Sequence, residues 1–505
     1  MNKWKPIFHI VSDGWLNDPN GCCVFNGEYH VFYQYSEQPD CSGVIQWGHV
    51  CSQDLLHWKA LPAAIMPDSP EDKDGAYSGS ALVEGDTLQL FYTGNVFEEG
   101  QADDEHRLAY TMTVSSKDGI QFVNKKVLMT NSDYPREISR GIRDPKVWKE
   151  DVIWVSSLYR TDRNMVLDMT IPEIEKPLYY MVQGASSKKH VGEAIIFRSV
   201  DKIHWKAVRI LYSKEPLGYM WECPDVFRME DYYFLSCCLQ GVEPMGLHYQ
   251  NPHQSGYFQV DMKKKKEARI PVNMFREWDH GFDFYAPQTW RDEDGTRLLI
   301  GWMGMPDSPY RRPEQEEGWS NMLTIPRVLH LSERKGIFTI AQKPVPELAL
   351  LRGKCYENQP VLLKSMDVLV DNPCGESFQL ELTDFTDESF YVDAHVKVQE
   401  AESGEDLLFE MSEFFEESSL VLQFNKEEST FLFAFDSERL GAGRGTRGIR
   451  ISEIRKLEII TDASSVEVFI NEGEEVFTSR IYPMYGKLAL KVTEGDVRTK
   501  TWELK

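Results

Sequence analysis

A two-strand segment recurs five times in the first two-thirds of the chain, and this repetition constrains the fold more than any other feature. Each copy has a polar start, a first strand pattern, a short acidic or glycine-containing turn and a second strand pattern. The copies begin at Asn17, Tyr77, Ile142, Glu222 and Tyr285. Short apolar or alternating runs bounded by Gly, Asp and Asn are typical of β-strands. The sequence therefore predicts an all-β fold built from five equivalent units.

A second motif follows three of these units. The stretch "SQDLLHWKAL" (Ser52 to Leu61) returns as "SVDKIHWKAV" (Ser199 to Val208), and "SKDGIQFVNK" (Ser116 to Lys125) is a weaker copy. One four-stranded sheet per unit at this spacing predicts a five-bladed β-propeller. A β-sandwich made of the same strands is the alternative, and the fivefold repeat makes it less favoured.

In a propeller, the first strand of each blade lines the central axis, so the polar starts of the five units converge at one end of the channel. Asp18, Asp144 and Glu222 lie at matching starts in blades one, three and four. Ser78 and Tyr285 occupy the matching positions in blades two and five. The sequence thus predicts a funnel with three carboxyl groups that are distant along the chain.

The pattern changes near residue 345. The stretch "KPVPELALLRGK" predicts a short helix, and alternating runs such as "SFQLELTDF" and "SLVLQFNK" follow it. Alternation of this kind predicts a second all-β domain made of two packed sheets. We therefore expect a propeller catalytic domain over 1–342, a linker helix over 343–354 and a β-sandwich over 355–505.

The charge and the absence of long apolar runs exclude several classes of protein. The chain has 80 Asp and Glu against 55 Lys and Arg, a formal charge of −25. A surface of this sign repels nucleic acid and anionic membranes, so neither is an expected partner. The sequence contains no run of about 18 apolar residues, so no membrane-spanning helix is expected.

The cysteines bear on the compartment. There are nine, with adjacent pairs at Cys22-Cys23 and Cys237-Cys238 and no zinc-like spacing. The N-terminal stretch "MNKWKPIFHIVSDGW" also lacks the apolar region of a secretory signal. Reduced thiols without a signal predict a cytoplasmic protein.

Three carboxyls in one funnel are costly, because like charges close together raise the pKa of at least one of them. Glycoside hydrolysis uses this situation: one carboxylate attacks or stabilises, and one carboxylic acid protonates the leaving oxygen. A metal site is the rival use, but no short segment supplies several ligands as a calcium loop does. We therefore predict no metal site. Asp18 itself lies in "NDPNG", which alone is typical of a turn.

The motifs that carry these residues form a recognisable set. They include "WLNDPNG", "FYQY", "WGHV", "YSGSAL", "IRDP", "WECPD", "DFYAPQT" and "GWM". On these motifs the chain resembles glycoside hydrolase family 32, the group of invertases, sucrose-6-phosphate hydrolases and fructanases. The resemblance covers nearly the whole chain. It implies a five-bladed propeller followed by a β-sandwich, and a hydrolase that needs no cofactor.

The resemblance also implies roles for the three carboxyls. Asp18 would be the nucleophile that forms a fructosyl-enzyme intermediate. Glu222 would be the acid/base that protonates the glycosidic oxygen and then activates water. Asp144 would hold the fructosyl hydroxyls and stabilise the transition state. The expected outcome is retention of configuration.

Eight further positions are implied by the same motifs. Asn17 and Gln34 would hydrogen-bond the fructose hydroxyls, and Arg143 would keep Asp144 ionised by charge pairing. Tyr285 would lie close to Glu222. Trp47 would form a wall of the pocket, and Trp302 would stack on the sugar. Tyr77 and Ser78 stand where the family has an aromatic-Ser pair.

Two stretches depart from the family pattern. Cys41-Ser42-Gly43 stands where the family carries an extra Trp before "WGH", so the pocket loses an apolar wall. The stretch from Tyr159 to Met181 reads as an insertion near the rim of the funnel or at a contact between copies.

The leading hypothesis is a cytoplasmic β-fructofuranosidase that acts on sucrose, sucrose 6-phosphate or short fructo-oligosaccharides. A fructosyltransferase with the same catalytic residues is an alternative from sequence alone. A sugar-binding propeller without catalysis would predict a lost carboxyl, and all three are present. A scaffold for protein partners would explain the blades but not the acids. A homo-oligomer and the preferred substrate stay open at this stage.

Overall fold

The computed structural model describes most of the chain. The described residues are 3–98, 101, 106–150, 159–160, 165–166, 178–213, 215–261, 269–270, 274–334, 337–358, 366–368, 377–383, 390–397, 419–435, 438–482, 487–494 and 498–505.

Five sheets follow one another in the first part of the chain, and each is an antiparallel meander counted outward from its first strand. In chain order the strands are Gly14–Phe25, Glu28–Ser36, Gln46–Ser52 and Lys59–Ile65 in blade 1; Ala76–Glu84, Thr87–Phe97, Arg107–Ser116 and Val123–Met129 in blade 2; Arg143–Glu150, Leu178–Ser186, Gly192–Ser199 and Lys206–Ser213 in blade 3; Met220–Met229, Tyr232–Gln240, His253–Val260 and Arg276–Glu277 in blade 4; and Tyr285–Arg291, Arg297–Met303, Arg327–Arg334 and Ile337–Pro344 in blade 5.

Short strands complete this part of the chain. Arg269–Ile270 adds to the outer edge of blade 3, and Met322–Leu323 pairs with the second strand of blade 5. Tyr159–Arg160 pairs with Met165–Val166 in a small separate hairpin. That hairpin belongs to the insertion predicted over 159–181, of which 161–164 and 167–177 lie outside the described residues. The predicted end of the insertion is too late, because 178–181 belong to strand Leu178–Ser186 of blade 3.

The first strands of the five blades are neighbours in a ring, from blade 1 through blade 5 and back to blade 1. Trp319–Ser320 pairs in parallel with Gly14 and Trp15, so a segment that follows the second strand of blade 5 joins blade 1. The Ser80 hydroxyl donates to the Pro145 carbonyl oxygen at 2.7 Å and thereby links blades 2 and 3. The all-β propeller that the repeats predict is confirmed.

The Ser-x-Asp motif has a local structural cause. Asp54, Asp118 and Asp201 each follow the third strand of a blade, and each accepts two hydrogen bonds from the backbone N–H groups two and three residues further on. A short carboxylate that bonds its own backbone in this way closes a turn. The motif therefore recurs because three blades make the same turn between their third and fourth strands.

The predicted helix over 343–354 is shorter in the structure. A 3-10 helix spans only Pro346–Leu351, because strand Ile337–Pro344 runs into the predicted segment and strand Arg352–Asn358 begins within it. Proline at position 346 suits the first turn of a helix, where its missing N–H leaves no bond unmade. The domain boundaries at 342 and 355 stay predictions.

Two six-stranded sheets pack face to face after this helix. In spatial order their strands are Arg352–Asn358, Arg498–Leu504, Phe378–Thr383, Lys456–Asp462, Ser465–Ile470 and Glu475–Arg480 in one sheet, and Met366–Val368, Lys487–Glu494, Phe390–Lys397, Ser419–Asn425, Thr430–Phe435 and Thr446–Arg450 in the other. Alternate inward residues such as Leu422, Phe433, Val468 and Phe477 form the buried core. Among the described residues, two further short helices occur, Glu438–Gly441 in this domain and the 3-10 helix Pro313–Glu317 in blade 5.

Buried ion pairs join the sandwich to the propeller. Arg327 of blade 5 is fully buried; its guanidinium lies 2.6 Å from Glu467 of the sandwich and 3.2 Å from Asp279. His9 contacts Asp462 at 2.9 Å and Glu467 at 3.0 Å. These contacts fix the sandwich against the blade 5 side of the ring.

Among the described residues, no helix is long and apolar enough to span a membrane.

Candidate active site

A β-bulge interrupts the first hairpin of every blade close to its polar start. The strand register shifts between Leu16 and Pro19 in blade 1 and between Tyr77 and Gly79 in blade 2. It shifts opposite 143–146 in blade 3, between 222 and 225 in blade 4 and between 285 and 288 in blade 5. Because an extra residue in one strand re-aims its side chains, the bulges turn the polar starts toward the axis.

Proline follows the bulged residue in four of the five blades. Asp144, Cys223 and Ala286 have positive φ values of 61°, 47° and 46°, and each precedes a proline. Asp18 also precedes a proline, inside strand Gly14–Phe25. Proline has no N–H to donate, so it costs no ladder hydrogen bond at a bulge. The Asp-Pro-Asn-Gly stretch is therefore a bulge within a strand, and not the turn that its composition alone indicates.

The three predicted carboxyls meet around Cys223. The Cys223 N–H donates to Asp144 Oδ2 at 2.8 Å, and its thiol lies 3.6 Å from Asp18 Oδ2. Glu222 is the preceding residue on the same strand. The structure thus brings together acids from blades 1, 3 and 4, as the repeat alignment predicts.

Asp18 is held by neighbours from two blades. The Ser78 hydroxyl donates to Asp18 Oδ2 at 2.6 Å, and the Gln34 side-chain amide donates in turn to Ser78 Oγ. The Asp18 N–H donates to Asn17 Oδ1 at 2.5 Å. These contacts place three further predicted site residues beside the carboxylate and fix its orientation.

Asp144 is buried, and its backbone is tied to blade 2. Its N–H donates to Thr93 Oγ1 at 2.9 Å, and the Thr93 hydroxyl donates to the Ser78 carbonyl oxygen at 3.2 Å. One hydroxyl therefore couples the backbones that carry Asp144 and Ser78. This coupling stabilises the left-handed conformation of Asp144, which is unfavourable for a residue with a Cβ.

Glu222 receives both of its hydrogen bonds on one oxygen. The Tyr285 hydroxyl and the Gln240 side-chain amide each donate to Glu222 Oε2 at 2.9 Å. Arg143 Nε lies 3.7 Å from Oε1. Within the described part of the chain, no hydrogen bond reaches Oε1. That oxygen is thus the one open to a ligand.

Two of the carboxyls have strongly raised pKa values. Burial raises the pKa of Asp18 to about 7, and the charges of Asp144 and Glu222 add to the increase against the opposing bonds from Ser78 and Cys223. Burial also raises the pKa of Asp144 to about 6, although the Arg143 charge opposes it. The cluster therefore retains a proton near neutral pH, as the sequence argument expects of three close acids. In the free protein, however, the raised values fall on Asp18 and Asp144.

The structure does not place the predicted tryptophans at the open side of the site. Trp47 is fully buried between blades 1 and 2, and its indole N–H donates to the Tyr77 carbonyl oxygen at 3.1 Å. Trp302 is 3% exposed and packs edge-on against Tyr285, with 6.4 Å between the ring centroids. Both rings are buried behind residues of the site: Trp47 contacts Tyr77, and Trp302 contacts Tyr285. Tyr77 itself is half-buried.

Besides Cys223, three residues of the site lie outside the predicted set. Thr93 and Gln240 bond Asp144 and Glu222, and the Arg107 guanidinium lies 5.3 Å from the centre of the Tyr77 ring. The Arg107 charge also opposes the rise in the pKa of Asp144. A signal for Thr93 exists in the sequence, because Thr93 in "FYTG" corresponds to Gln34 in "FYQY" on the second strand of its unit.

The described residues contain no group of three or more His, Cys, Asp and Glu side chains arranged to hold a metal ion. The carboxyls of the acid cluster instead accept hydrogen bonds from neighbouring side chains: Ser78 and Cys223 donate to Asp18, and Tyr285 donates to Glu222. What the arrangement offers chemically is one buried acid cluster with an accessible carboxyl oxygen.

Comparison with protein-family models assigns this architecture. The model of the N-terminal domain of glycosyl hydrolases family 32 matches residues 9–169 and 166–344, and the model of the family's C-terminal domain matches 375–504. The chain belongs to glycoside hydrolase family 32. The resemblance predicted from the motifs is confirmed, and the chain is a glycoside hydrolase.

Relatives of this family 32 enzyme match it over almost its whole length. It is 34% identical to the raffinose invertase of Escherichia coli over 499 residues, which cover 98% of this chain and 93% of the relative. It is 34% identical to a sucrose-6-phosphate hydrolase of Bacillus subtilis over 511 residues, again 98% and 93% of the two chains.

Solved family 32 structures share the fold. A sucrose-6-phosphate hydrolase from Lactobacillus gasseri has a TM-score of 0.79 at 26% identity and covers 100% of this chain and 93% of its own. A mutant β-fructofuranosidase from Bombyx mori in complex with sucrose has a TM-score of 0.77 at 26% identity, with coverages of 100% and 95%. The propeller and sandwich of this chain therefore have solved counterparts.

Proposed function

We propose that this family 32 enzyme is a β-fructofuranosidase that releases terminal β-D-fructofuranosyl units with retention of configuration. The substrates are sucrose, sucrose 6-phosphate or short fructo-oligosaccharides. The observation that carries the proposal is the junction at Cys223, which holds Asp144 through its N–H and Asp18 through its thiol while Glu222 precedes it. Asp18 and Glu222, which this junction brings into one cluster, would form the retaining pair, whose carboxyls lie roughly 5 to 5.5 Å apart.

In the first step, an Asp18 carboxylate oxygen attacks the anomeric carbon of the fructosyl unit. The bond from that carbon to the glycosidic oxygen breaks, and a proton passes from Glu222 to the leaving oxygen. The Ser78 hydroxyl and the Gln34 amide keep the attacking carboxylate in one orientation. Orientation of this kind lowers the entropic part of the barrier.

In the second step, Glu222 accepts a proton from water as the water oxygen attacks the anomeric carbon. The ester bond to Asp18 breaks and returns the carboxylate, and fructose leaves. Glu222 Oε1 suits both transfers because Oε2 is already occupied by Tyr285 and Gln240. Asp144, fixed by the Cys223 N–H, would bind fructosyl hydroxyls and stabilise the developing positive charge on the ring.

Substrate binding must also redistribute the proton of the cluster. Asp18 attacks as a carboxylate, yet burial raises its pKa to about 7 in the free enzyme. Three interacting acids titrate as a group, so the proton can reside on a different member once a sugar fills the pocket. We propose that the glycosidic oxygen, as an acceptor beside Glu222 Oε1, stabilises the state in which Glu222 holds the proton.

We also propose a cytoplasmic location. The eight cysteines within the described residues are all free thiols, and five of them are buried. Proteins of oxidising compartments more often pair their cysteines.

A sugar fits the site as its ligand, and the acidic surface, with a net charge of −25, disfavours nucleic acid.

A direct assay tests the function. The enzyme is incubated with sucrose, sucrose 6-phosphate, 1-kestose and inulin, and free fructose and longer transfer products are measured. We expect fructose as the main product and a loss of at least about 100-fold in Asp18→Asn and Glu222→Gln. Asp13→Asn, which changes an exposed aspartate five residues away, is the matched control. Wild-type turnover in either active-site variant would refute the roles, and a predominance of transfer products would favour the fructosyltransferase.

A further inference from the structure

A cavity of about 550 Å³, which we call the rear cavity, lies at the ends of the first strands that are remote from the acid cluster. The late residues of the first strands of all five blades line it: 22–24, 81–83, 146–150, 225–228 and 289–291. Arg228 follows Glu222 by six positions on one strand, a separation of roughly 20 Å. None of the three carboxyls of the acid cluster lines the rear cavity. The catalytic steps above make no use of it.

The rear cavity opens to solvent at its rim. Lys149, Arg228 and Arg291 are exposed at or near the ends of their strands. Asp225 and Trp290 are buried in the walls. The volume lies in the range of small-ligand sites. A small molecule that enters from the rim therefore reaches groups that bulk solvent does not surround.

The rear cavity is basic in a protein that is acidic overall. The chain carries −25, yet only two acidic residues, Asp225 and Glu150, are among the described residues that line this cavity. The basic residues that line it are Lys146, Lys149, Arg228, Arg291 and Arg297. Lys146 Nζ lies 3.3 Å from Asp225 Oδ2 and balances its charge. Positive potential concentrated in a concave site attracts small anions.

Two of these arginines oppose each other on neighbouring strands. Arg291 and Arg297 are direct partners in the register of the first hairpin of blade 5. The Cβ atoms of such partners lie about 4.5 to 5.5 Å apart, and like charges at these positions destabilise a sheet. Within the described part of the chain, no carboxylate lies within 4.0 Å of either guanidinium. The hairpin therefore holds two positive charges together without a counter-charge in contact.

The hydrogen bonds of these two arginines go to neutral groups. Arg291 donates to the carbonyl oxygens of Gly295 at 2.6 Å and Arg228 at 2.9 Å. Arg297 donates to Thr289 Oγ1 at 3.2 Å. Burial lowers the pKa of Arg297 to about 10, and the charge of Arg291 adds to the decrease. An anion between the two guanidiniums would remove this unfavourable interaction.

The turn that joins the two arginines does not supply that anion. Asp292 closes the turn by accepting a hydrogen bond from the Thr296 N–H at 2.7 Å. Glu293 and Asp294 are exposed, where solvent and salt screen their charges. None of these three carboxylates lines the rear cavity.

Buried polar atoms in the walls of the rear cavity have no protein partner among the described residues. They are the indole N–H of Trp290, which is 5% exposed, the Nε–H of Arg297, and Oδ1 of Asp225, which is 1% exposed. Asp225 Oδ2, by contrast, accepts hydrogen bonds from the N–H and the hydroxyl of Thr289. Because buried polar groups are nearly always hydrogen-bonded, these atoms indicate a ligand with acceptor oxygens and one hydroxyl.

We propose that the rear cavity binds a small phosphate-class oxyanion between Arg291 and Arg297. A guanidinium presents paired N–H donors that match phosphate oxygens. A phosphate group carries a charge of about −1.5 to −2 at pH 7, so it suits a pair of arginines better than a single carboxylate does. A hydroxyl of the bound molecule then donates to Asp225 Oδ1. The proposal does not depend on the proposed function, because no residue of the acid cluster takes part in this binding.

Calorimetric titration at constant ionic strength tests the proposal with two probes, inorganic phosphate and adenosine monophosphate, which distinguish the free ion from a phosphate group on an organic molecule. We expect one site per chain for at least one probe. Arg297→Gln should raise the dissociation constant by about 10- to 100-fold, the value of a charged hydrogen bond, and Arg297→Lys should restore part of the affinity. Arg455→Gln, which removes a sandwich arginine paired with Glu453 and Glu474 at the surface, is the matched control.

Thermal unfolding separates binding from a structural role of Arg297. Without phosphate, Arg297→Gln should have a Tm at least as high as the wild type, because it removes one of two opposed like charges. With phosphate, the Tm of the wild type should rise and that of the variant should not. Arg291→Gln repeats the comparison at the exposed member of the pair.

Three outcomes would overturn the proposal. One is that neither probe binds the wild type. The second is that both arginine variants bind the probes as the wild type does. The third is that saturating fructose displaces the probe, which would place the binding at the acid cluster. Failure of the proposed function is a separate result, because fructose release is measured without phosphate and should change by less than about twofold in Arg297→Gln.

Discussion

The backbone N–H of Cys223 donates a 2.8 Å hydrogen bond to Asp144 Oδ2, and this bond joins blade 4 to blade 3 at the centre of the site. The N–H is aimed by the left-handed conformation of Cys223, with φ at 47°, and by the bulge that follows Glu222. The thiol of the same residue points to Asp18 at 3.6 Å. One strained residue thus sets the relative positions of the three acids.

The thiol and the backbone of Cys223 have separable effects. Cys223→Ala keeps the N–H that holds Asp144 but removes the thiol that opposes the high pKa of Asp18. We expect kcat to fall by less than about 10-fold, because a thiol is a weak donor, and the acidic limb of the kcat/KM profile to move to higher pH. The measurement is a pH–rate profile on the best substrate. Cys355→Ala, an exposed thiol, is the control, and an unmoved acidic limb would count against the contact.

Ser78→Ala removes a stronger donor from the same carboxylate. The Ser78 hydroxyl donates to Asp18 Oδ2 at 2.6 Å and opposes the effect of burial on the pKa of Asp18. Its loss should raise that pKa further, lower kcat/KM by about 10-fold at neutral pH and leave more activity at alkaline pH. A uniform loss at every pH would instead indicate that Ser78 acts only by binding sugar.

The acid cluster should destabilise the fold at high pH. The pKa of Asp18 is about 7 in the folded enzyme against an ordinary value of 3.8, so the folded state keeps a proton that the unfolded chain releases. Stability then falls as the pH rises from about 4 to 7. We expect Asp18→Asn to raise the free energy of unfolding by on the order of 1 to 3 kcal/mol above pH 7 and by almost nothing below pH 4. Denaturant titrations at both pH values measure this, and an equal change at both would contradict the assignment.

The repeats in the sequence predict much of this arrangement, and the reasons for the exceptions are physical. Matching hairpin starts were enough to predict that Asp18, Asp144 and Glu222 meet, because a propeller fixes where first strands begin. They do not reveal bulges, since the left-handed φ of Asp144 depends on the Thr93 bond across blades. A motif also does not show how deeply a side chain is buried. Trp47 is covered by neighbouring blades, which no local sequence pattern describes.

The contacts of His9 at the domain interface should also make the free energy of unfolding depend on pH. Burial alone lowers the pKa of His9, but hydrogen bonds to Asp462 and Glu467 outweigh it and raise the pKa to about 9. The stabilisation is therefore complete below pH 6.5 and is lost as the pH rises through about 9. His9→Gln should lower the free energy of unfolding at pH 6 by about 1 to 3 kcal/mol and by less at pH 10. The control is His57→Gln, which changes an exposed histidine. A larger loss of stability in His9→Gln at pH 10 than at pH 6 would contradict the prediction.

Arg327 links the propeller to the sandwich through buried ion pairs. Arg327→Met would leave Glu467 and Asp279 buried without their shared counter-charge. Breaking a buried pair in this way costs about 3 to 5 kcal/mol. The surface variant Arg455→Gln should cost less than about 1 kcal/mol. Urea unfolding of the two variants measures the contrast, and similar midpoints would mean that the interface does not depend on this charge.

The covalent intermediate provides the most direct test of the account. Glu222→Gln is mixed with a β-fructofuranoside whose activated leaving group needs no protonation, so that the first step proceeds while the second, which needs the base, is slow. Peptide mass spectrometry then locates any added fructosyl group. The account predicts the adduct on the peptide that contains Asp18 and its absence in the double variant with Asp18→Asn. An adduct on Asp144, or initial release of fructose with inverted configuration, would contradict it.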